Sequence, residues 1–143
     1  MILVDANLLL YAANQAAPEH RVAREWLDAR LSSTARVGLP WPSLLAFVRL
    51  ASNPMVMRQP VPVATAWNQV QQWLSAGPAW VPLPTARHAD ILRGLCEPSW
   101  MTSRLVPDAH LAALAIEHGL TLCSTDGDFA RFAGLDWKNP LAP

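Results

Sequence analysis

The stretch PDAHLAALAIEHGLTLCSTDGDF, residues 107–129, contains a helix, a strand and acids in the order that an α/β fold uses. The proline and acid that open it suit the first turn of a helix, and Gly119 is a typical stop for that helix. The apolar run Leu120–Cys123 then has the composition of a strand buried on both faces, as in a parallel sheet. The stretch therefore predicts a helix that leads into a sheet strand, with Asp126 and Asp128 directly beyond the strand end.

The N-terminus has the same arrangement of a short buried strand followed by an acid. Ile2-Leu3-Val4 is continuous, apolar and β-branched at two positions, which is typical of a strand in a parallel sheet. Asp5 follows this strand directly, and Asn7 is predicted to cap a short helix over residues 8–13.

The middle of the chain alternates strand and helix patterns. Residues 36–39 and 80–83 are strand candidates, and Ser43 is predicted to cap a helix over residues 44–52. Leu120–Cys123 is the last clear strand. Strands that alternate with helices predict an α/β layered fold with a mostly parallel sheet. The ligand site of such a fold lies beyond the carboxyl ends of the strands.

The composition favours one domain, residues 1–143, that has a partner. Hydrophobic residues make up 52% of the chain and charged residues only 15%, against about 25% charged in typical globular proteins. So few charges leave apolar surface exposed, and such patches usually mark interaction sites. A homodimer or another bound chain is therefore expected. The net charge of zero does not by itself indicate a nucleic-acid-binding protein.

Targeting signals and disulfide patterns are both missing from the sequence. No basic segment precedes an apolar core at the N-terminus, and no stretch of about 18 apolar residues could span a membrane. Cys96 and Cys123 have no metal-binding or redox spacing. A cytoplasmic protein without a membrane partner is expected.

The acids are predicted to meet at one edge of the sheet. Asp5 and Asp126 each follow a strand, and Asp108 lies in the first turn of the helix that leads into the second of these strands. Clustered carboxylates repel one another, whereas Mg²⁺ or Mn²⁺ binds hard oxygen ligands of this kind. Two such ions can promote hydrolysis of a phosphodiester. Each acid also has a simpler reading, Asp108 as a helix-dipole acid and Asp126 or Asp128 as a turn or cap residue.

Three segments of the chain resemble the PIN-domain ribonucleases, in particular the VapC toxins of bacterial VapBC toxin–antitoxin pairs. The segments are ILVDANLLLY at the N-terminus, PDAHLAALAIEHGLTL, and STDGDFARF after the last strand. The resemblance implies a three-layer α/β/α fold and a metal-dependent endoribonuclease that cleaves RNA. It also implies inhibition by a cognate VapB-type antitoxin, and commonly a homodimer.

The same resemblance implies roles for individual residues. Asp5, Asp108 and Asp126 match the family's metal-binding and catalytic acids, and Asp128 matches an accessory acid. Asn7 and Thr125 match small polar positions that support the site through hydrogen bonds.

One position departs from the family pattern. The family usually places a glutamate on the helix after the second strand, three residues before an arginine, and here Ala46 stands three residues before Arg49. The missing acid puts a strict two-metal mechanism in doubt. It also keeps open an alternative function, a catalytically impaired module that binds RNA or an antitoxin.

A phosphatase of the haloacid-dehalogenase type fits poorly. Such enzymes need a second aspartate two residues after the first, where this chain has Asn7, and a lysine before the C-terminal acids. The only lysine here, Lys138, follows them.

The arginines of the middle segment are candidates for gripping an RNA backbone, because a guanidinium binds phosphate in a bidentate manner. For each of them taken singly, a surface ion pair is the competing role. No histidine is assigned to chemistry. The candidates are Arg49, Arg58, Arg87, Arg93 and Arg104.

Overall fold

The computed structural model describes residues 1–143. The strands are β1 (Ile2–Val4), β2 (Val37–Gly38), β3 (Ala79–Trp80), β4 (Thr121–Cys123) and β5 (Trp137–Lys138). The helices are α1 (Ala6–Ala13), α2 (His20–Leu31), α3 (Trp41–Ala51), α4 (Val63–Leu74), α5 (His88–Cys96) and α6 (Val106–His118). No helix combines the length and the apolar character needed to cross a membrane.

The five strands form one sheet in the order β3-β2-β1-β4-β5. All neighbouring strands are parallel, so the sheet is parallel throughout and not only mostly so. The chain builds from β1 towards β3 on one side, and then returns to place β4 on the other side of β1. This reversal between β1 and β4 is where open α/β sheets bind their ligands.

Helices cover both faces of the sheet, because side chains alternate between the two faces along a strand. Val4 lies in a buried cluster with residues of α1, α2, α3 and α4. Leu3 lies in a second buried cluster with α6, Leu95 of α5 and Phe129. The three-layer α/β/α prediction is therefore confirmed.

Several element ends differ from the sequence-based prediction. Helix α1 begins at Ala6 with Asp5 as its cap, so Asn7 lies inside the helix. Helix α3 begins at Trp41, because Pro40 is extended and Pro42 fits the first helical turn. Ser43 therefore does not cap this helix. Strand β5 was not predicted, and two residues carry too little periodicity to reveal a strand.

Candidate active site

The acids predicted from the sequence lie at the carboxyl edge of the sheet. Asp5 follows β1 directly, and its backbone N–H donates to the carbonyl of Cys123 at the end of β4, at 3.0 Å. Asp126 lies three residues beyond β4. Asp108 is in the first turn of α6, and α6 starts at this edge because it returns the chain to the beginning of β4.

Electrostatics show that these acids are close together. Burial is the largest cause that raises the pKa of Asp108 from 3.8 to about 6, and the charges of Asp126, Asp5 and Asp128 add to it in that order. Burial also raises the pKa of Asp5, and the charge of Asp126 adds to the rise. Hydrogen bonds from Ser124 and from the backbone N–H of Ala6 act against it. The structure thus brings Asp5, Asp108 and Asp126 within range of mutual repulsion.

Ser124 holds this side of the site together. It is fully buried, and its hydroxyl donates to Asp5 Oδ2 at 2.8 Å. Ser124 Oγ also accepts from Asn7 Nδ2 at 3.0 Å and from the backbone N–H of Asp126 at 3.0 Å. Ser124 therefore orients the Asp5 carboxylate and joins it to the Asn7 amide and to the backbone of Asp126.

Ser124 was missed in the sequence analysis, which named the neighbouring Thr125 instead. Thr125 contributes its backbone N–H, which donates to Asn7 Oδ1 at a long 3.5 Å. The available signal was a small polar residue at the end of a buried apolar strand, since a buried hydroxyl must find a hydrogen-bond partner.

Asp128 has a different environment from the other acids. Its Oδ2 accepts from Arg104 Nη1 at 3.0 Å, and Arg131 Nε lies 3.8 Å from its Oδ1. Its backbone N–H donates to Asp126 Oδ1 at 2.9 Å. The guanidinium of Arg131 also lies over the ring of Trp100, 5.7 Å from its centroid. Asp128 thus pairs with arginines beside the acid cluster.

The carboxylate oxygens of Asp5, Asp108 and Asp126 are donors of the kind that a hard divalent cation prefers. As placed, no three His, Cys, Asp or Glu side chains form a group that could hold a metal ion. Burial is the largest cause of the raised pKa values of Asp5 and Asp108, and repulsion from neighbouring carboxylates adds to it. A cation would remove the repulsion and let the carboxylates approach.

The site draws its acids from three places only: the ends of β1 and β4 and the start of α6. Helix α3, whose sequence is WPSLLAFVRLA, supplies none, and Ala46 is partly buried within it. The departure noted in the sequence therefore leaves the α3 side of the site without a carboxylate.

The five arginine candidates are not equivalent in the fold. Arg93 pairs with Glu97 at 3.4 Å and lies 4.0 Å from Asp90, both near it on α5. Arg87 Nη1 donates to the carbonyl of Glu117 at 3.5 Å. Arg104 alone among the five has a polar contact with the acid cluster, through Asp128.

A five-stranded parallel sheet with aspartates at the point where its strand order reverses defines an open α/β class of fold, with an acidic site at the carboxyl edge. The PIN-domain family matches residues 2–135. Ribonuclease VapC37 of Mycobacterium tuberculosis is 47% identical over 142 residues, which cover 99% of each chain. Ribonuclease VapC33 of the same species is 40% identical over 141 residues, again 99% of each chain. This chain belongs to the PIN-domain family, as its motifs indicated.

Solved structures have the same fold. The VapBC2 complex of Rickettsia felis, bound to a DNA fragment from its promoter, matches with a TM-score of 0.69 at 17% identity, over 97% of this chain and 98% of that one. The M. tuberculosis toxin VapC20, which cleaves the sarcin–ricin loop, matches with a TM-score of 0.67 at 21% identity, over 95% and 99%. At these identities the matches establish the architecture.

Repulsion among the acids leads to a stability prediction. Asp108→Asn should raise the free energy of unfolding in chelator at pH 7 by about 0.5–1 kcal/mol. The rise of the Asp108 pKa from 3.8 to about 6 corresponds to at most about 3 kcal/mol. Solvent screening of this half-exposed group and the loss of its favourable place at the start of α6 reduce that figure.

The contribution of Asp108 to the free energy of unfolding changes with pH in a definite direction. A folded-state pKa above the unfolded value means that stability falls as the pH rises from about 4 to about 6, because the folded protein holds the proton longer. The gain from Asp108→Asn should therefore vanish near pH 4. Urea unfolding in chelator at pH 4 and pH 7 measures the difference. A variant that is less stable than the parent at pH 7 would show that Asp108 is not repelled.

Proposed function

We propose that this chain is a divalent-metal-dependent endoribonuclease that acts as the toxin of a type II toxin–antitoxin pair. Its strongest support is the set formed by Asp5, Asp108 and Asp126 at the carboxyl edge of the sheet, where Ser124 links Asp5 to the backbone of Asp126 and the charges of both acids act on Asp108. The relatives of matching length carry the name ribonuclease. The two free thiols, Cys96 and Cys123, suit the reducing cytoplasm as the place of action.

In this mechanism Asp5, Asp108 and Asp126 would hold Mg²⁺ or Mn²⁺. The ion, when bound, would supply the positive charge that polarises the phosphodiester for attack by water. Ser124 and Asn7 keep the Asp5 carboxylate in one orientation, because Ser124 donates to Asp5 and accepts from Asn7. Such supporting hydrogen bonds fix the direction of ligand lone pairs.

Asp128 is assigned a positioning role and not a role as a metal ligand. It binds Arg104 at 3.0 Å and directs that guanidinium towards Asp108, where its charge opposes the rise in pKa that burial and the neighbouring acids cause. The Arg104 side chain is 68% exposed, so it remains free to receive a phosphate of the RNA. A guanidinium in this place would balance the negative charge of the scissile group.

Ala46 supports a second candidate function, a catalytically impaired module that binds RNA or an antitoxin. Without a carboxylate at Ala46, one ion would depend on Asp5, Asp108 and Asp126, and a second ion would have no ligand from α3. The nuclease proposal therefore needs only one firmly held ion. The two functions differ in whether RNA that binds is also cut.

The proposed protein partner is a VapB-type antitoxin, as in the R. felis VapBC2 complex, and a homodimer is proposed with it. A cavity of about 630 Å³ lies between α1, α3, α4 and the loop before α4. Its walls include Phe47, Val56 and Val61 beside Arg58, and no acid. An apolar segment with an acidic residue would complement this cavity, and we propose that the antitoxin supplies that segment.

Cleavage-site mapping on total RNA tests the proposed function. The purified chain is incubated with RNA in Mg²⁺, in Mn²⁺ and in chelator, and new 5′ ends are mapped by sequencing. We expect defined cuts in either metal and none in chelator. Asp108→Asn, purified in the same way, is the matched control for a contaminating nuclease. RNA that is retained but uncut in all arms would favour the binding module, and cuts that persist in the variant would exclude this site.

A further inference from the structure

Trp137, the first residue of β5, forms a hydrogen bond with the turn that follows β4. In the pairing of these two strands Trp137 lies opposite Leu122. Its indole N–H donates to the backbone carbonyl of Ser124, two residues further along, at 3.1 Å. The ring is partly buried and packs against the buried cluster on the α6 side of the sheet. Trp137 therefore connects that cluster to the residue that orients Asp5.

The carbonyl of Ser124 depends on this one donor. Ser124 lies just beyond β4 and is fully buried, and its backbone N–H donates to the carbonyl of Lys138 at 3.0 Å. If the parallel register continued, the donor for the Ser124 carbonyl would be residue 140, which is a proline and has no N–H. No backbone N–H donates to this carbonyl. The indole N–H of Trp137 thus takes the place of a hydrogen bond that the sheet cannot supply.

The orientation of the Ser124 peptide affects two acids of the site. A buried carbonyl without a donor costs free energy, so loss of the indole N–H should let the turn rotate until water reaches the carbonyl. That rotation would displace the Ser124 hydroxyl, which donates to Asp5 Oδ2 at 2.8 Å. It would also displace the backbone N–H of Asp126, which donates to the same hydroxyl at 3.0 Å. The hydrogen bond from Trp137 therefore supports both carboxylates.

We propose that Trp137 is a positioning residue of the acidic site, and that it acts through the Ser124 carbonyl to set the affinity for the divalent cation. The inference rests on the proposed metal-dependent function and adds a residue of the edge strand to it. Trp137 has its hydrogen bond with Ser124 and none with an acid, so its effect must pass through the turn after β4.

Binding of Mn²⁺ alone, without RNA, tests this role. Free Mn²⁺ is measured by electron paramagnetic resonance during titration of the purified chain. Trp137→Phe keeps an aromatic ring and removes the donor, and it should raise the dissociation constant for Mn²⁺ by about 3- to 10-fold. This is less than the about 10- to 100-fold that is typical of a direct hydrogen-bond partner of a metal ligand, because Trp137 acts one bond further away. Trp26→Phe is the matched control, since Trp26 is a partly buried residue of α2 on the other face of the sheet, and it should bind Mn²⁺ as the parent does.

Cleavage of a mapped RNA separates positioning from a general loss of structure. For Trp137→Phe, the Mn²⁺ concentration at half-maximal rate should rise by the same factor as the dissociation constant. At saturating Mn²⁺, KM for the RNA should stay at the parent's value. Replacement of Trp137 by 3-benzothienylalanine, which has sulfur in place of the N–H and nearly the same shape, repeats both measurements if the phenylalanine variant is poorly folded.

A double variant shows whether the effect passes through Ser124. Trp137→Phe should add little to the loss of Mn²⁺ affinity in Ser124→Ala, because residues that act through one contact are not additive. Full additivity would overturn the proposal, and so would parental Mn²⁺ affinity in both Trp137 variants. A parent chain that binds no Mn²⁺ would overturn this inference together with the metal-dependent function. If the Mn²⁺ affinities differ as expected but no RNA is cut, the role of Trp137 stands and the ribonuclease proposal fails.

Discussion

Asparagine at position 5, 108 or 126 is expected to lower RNA cleavage by at least about 100-fold. Asparagine keeps the shape of the side chain and removes the negative charge that attracts the cation. Beyond burial, the charges of these acids add to the raised pKa values of Asp5 and Asp108, so we propose that they act as a set and expect each to be needed. Initial rates on a mapped RNA substrate, measured over a range of Mg²⁺ concentrations, give the loss and any recovery at high metal.

Two further variants distinguish ligands from positioning residues. Asp128→Asn should mainly raise KM, by less than about 10-fold, because its carboxylate pairs with Arg104 and Arg131. Ser124→Ala should lower the rate of RNA cleavage about 10- to 100-fold and raise the Mg²⁺ concentration needed for half-maximal activity. Losses of this size are usual when the hydrogen-bond partner of a metal ligand is removed. Asp28→Asn, an exposed acid of α2, is the control and should cut normally. Equal losses of cleavage activity for Asp128→Asn and Asp126→Asn would place Asp128 among the metal ligands.

The parts of the fold that follow from local pattern could be predicted. Short stretches of sequence were enough to predict the apolar strands β1 and β4. They also predicted the start of α6 at a proline and its end at Gly119, which has a φ of 66°. The same holds for the acids, since strand ends in a parallel sheet share one edge. Asp5 and Asp126 could therefore be assigned to one site although they lie far apart in the chain.

The parts that depend on distant partners could not be predicted. The bond from Ser124 to Asp5 joins residues 119 apart, and no local pattern distinguishes Ser124 from Thr125. Strand β5 exists because β4 offers an unpaired edge, not because Trp137-Lys138 has strong strand character. Asp5 caps α1 in place of Asn7, since the strand end leaves its carboxylate next to the first helical N–H.

Helix α6 also contains a buried acid, Glu117. The residues of α6 are apolar almost all round, and Glu117 is an acid near its C-terminal end. Nothing in the local sequence distinguishes Glu117 from an exposed acid at a helix end. In the fold the side chain of Glu117 is fully buried, and it binds His88 Nδ1 at 2.6 Å. It also accepts from the backbone N–H of Thr85 at 2.6 Å. His88 Nε2 in turn meets His110 Nδ1 at 3.1 Å.

Glu117→Ala is expected to lower the free energy of unfolding by about 3–5 kcal/mol. Truncation leaves the Thr85 N–H and the largely buried His88 ring without their acceptor, and removes the link between α6 and the segment that enters α5. Glu117 Oε2 accepts from His88 Nδ1 and so orients the ring whose Nε2 lies 3.1 Å from His110 Nδ1. Loss of the first bond therefore frees the second.

Urea unfolding followed by circular dichroism measures this loss, which is a large share of the about 5–15 kcal/mol that stabilises a typical domain. Glu117→Gln keeps an acceptor for Thr85 and should cost less than alanine. Glu97→Ala is the matched control, because Glu97 is an exposed acid at the end of α5 with a single pairing to Arg93, and it should change stability by less than about 1 kcal/mol. Since His110 faces away from Asp108 on α6, Glu117→Gln should still cut RNA below its unfolding transition. A fully stable Glu117→Ala would mean that the carboxylate and the two histidines do not join α5 to α6.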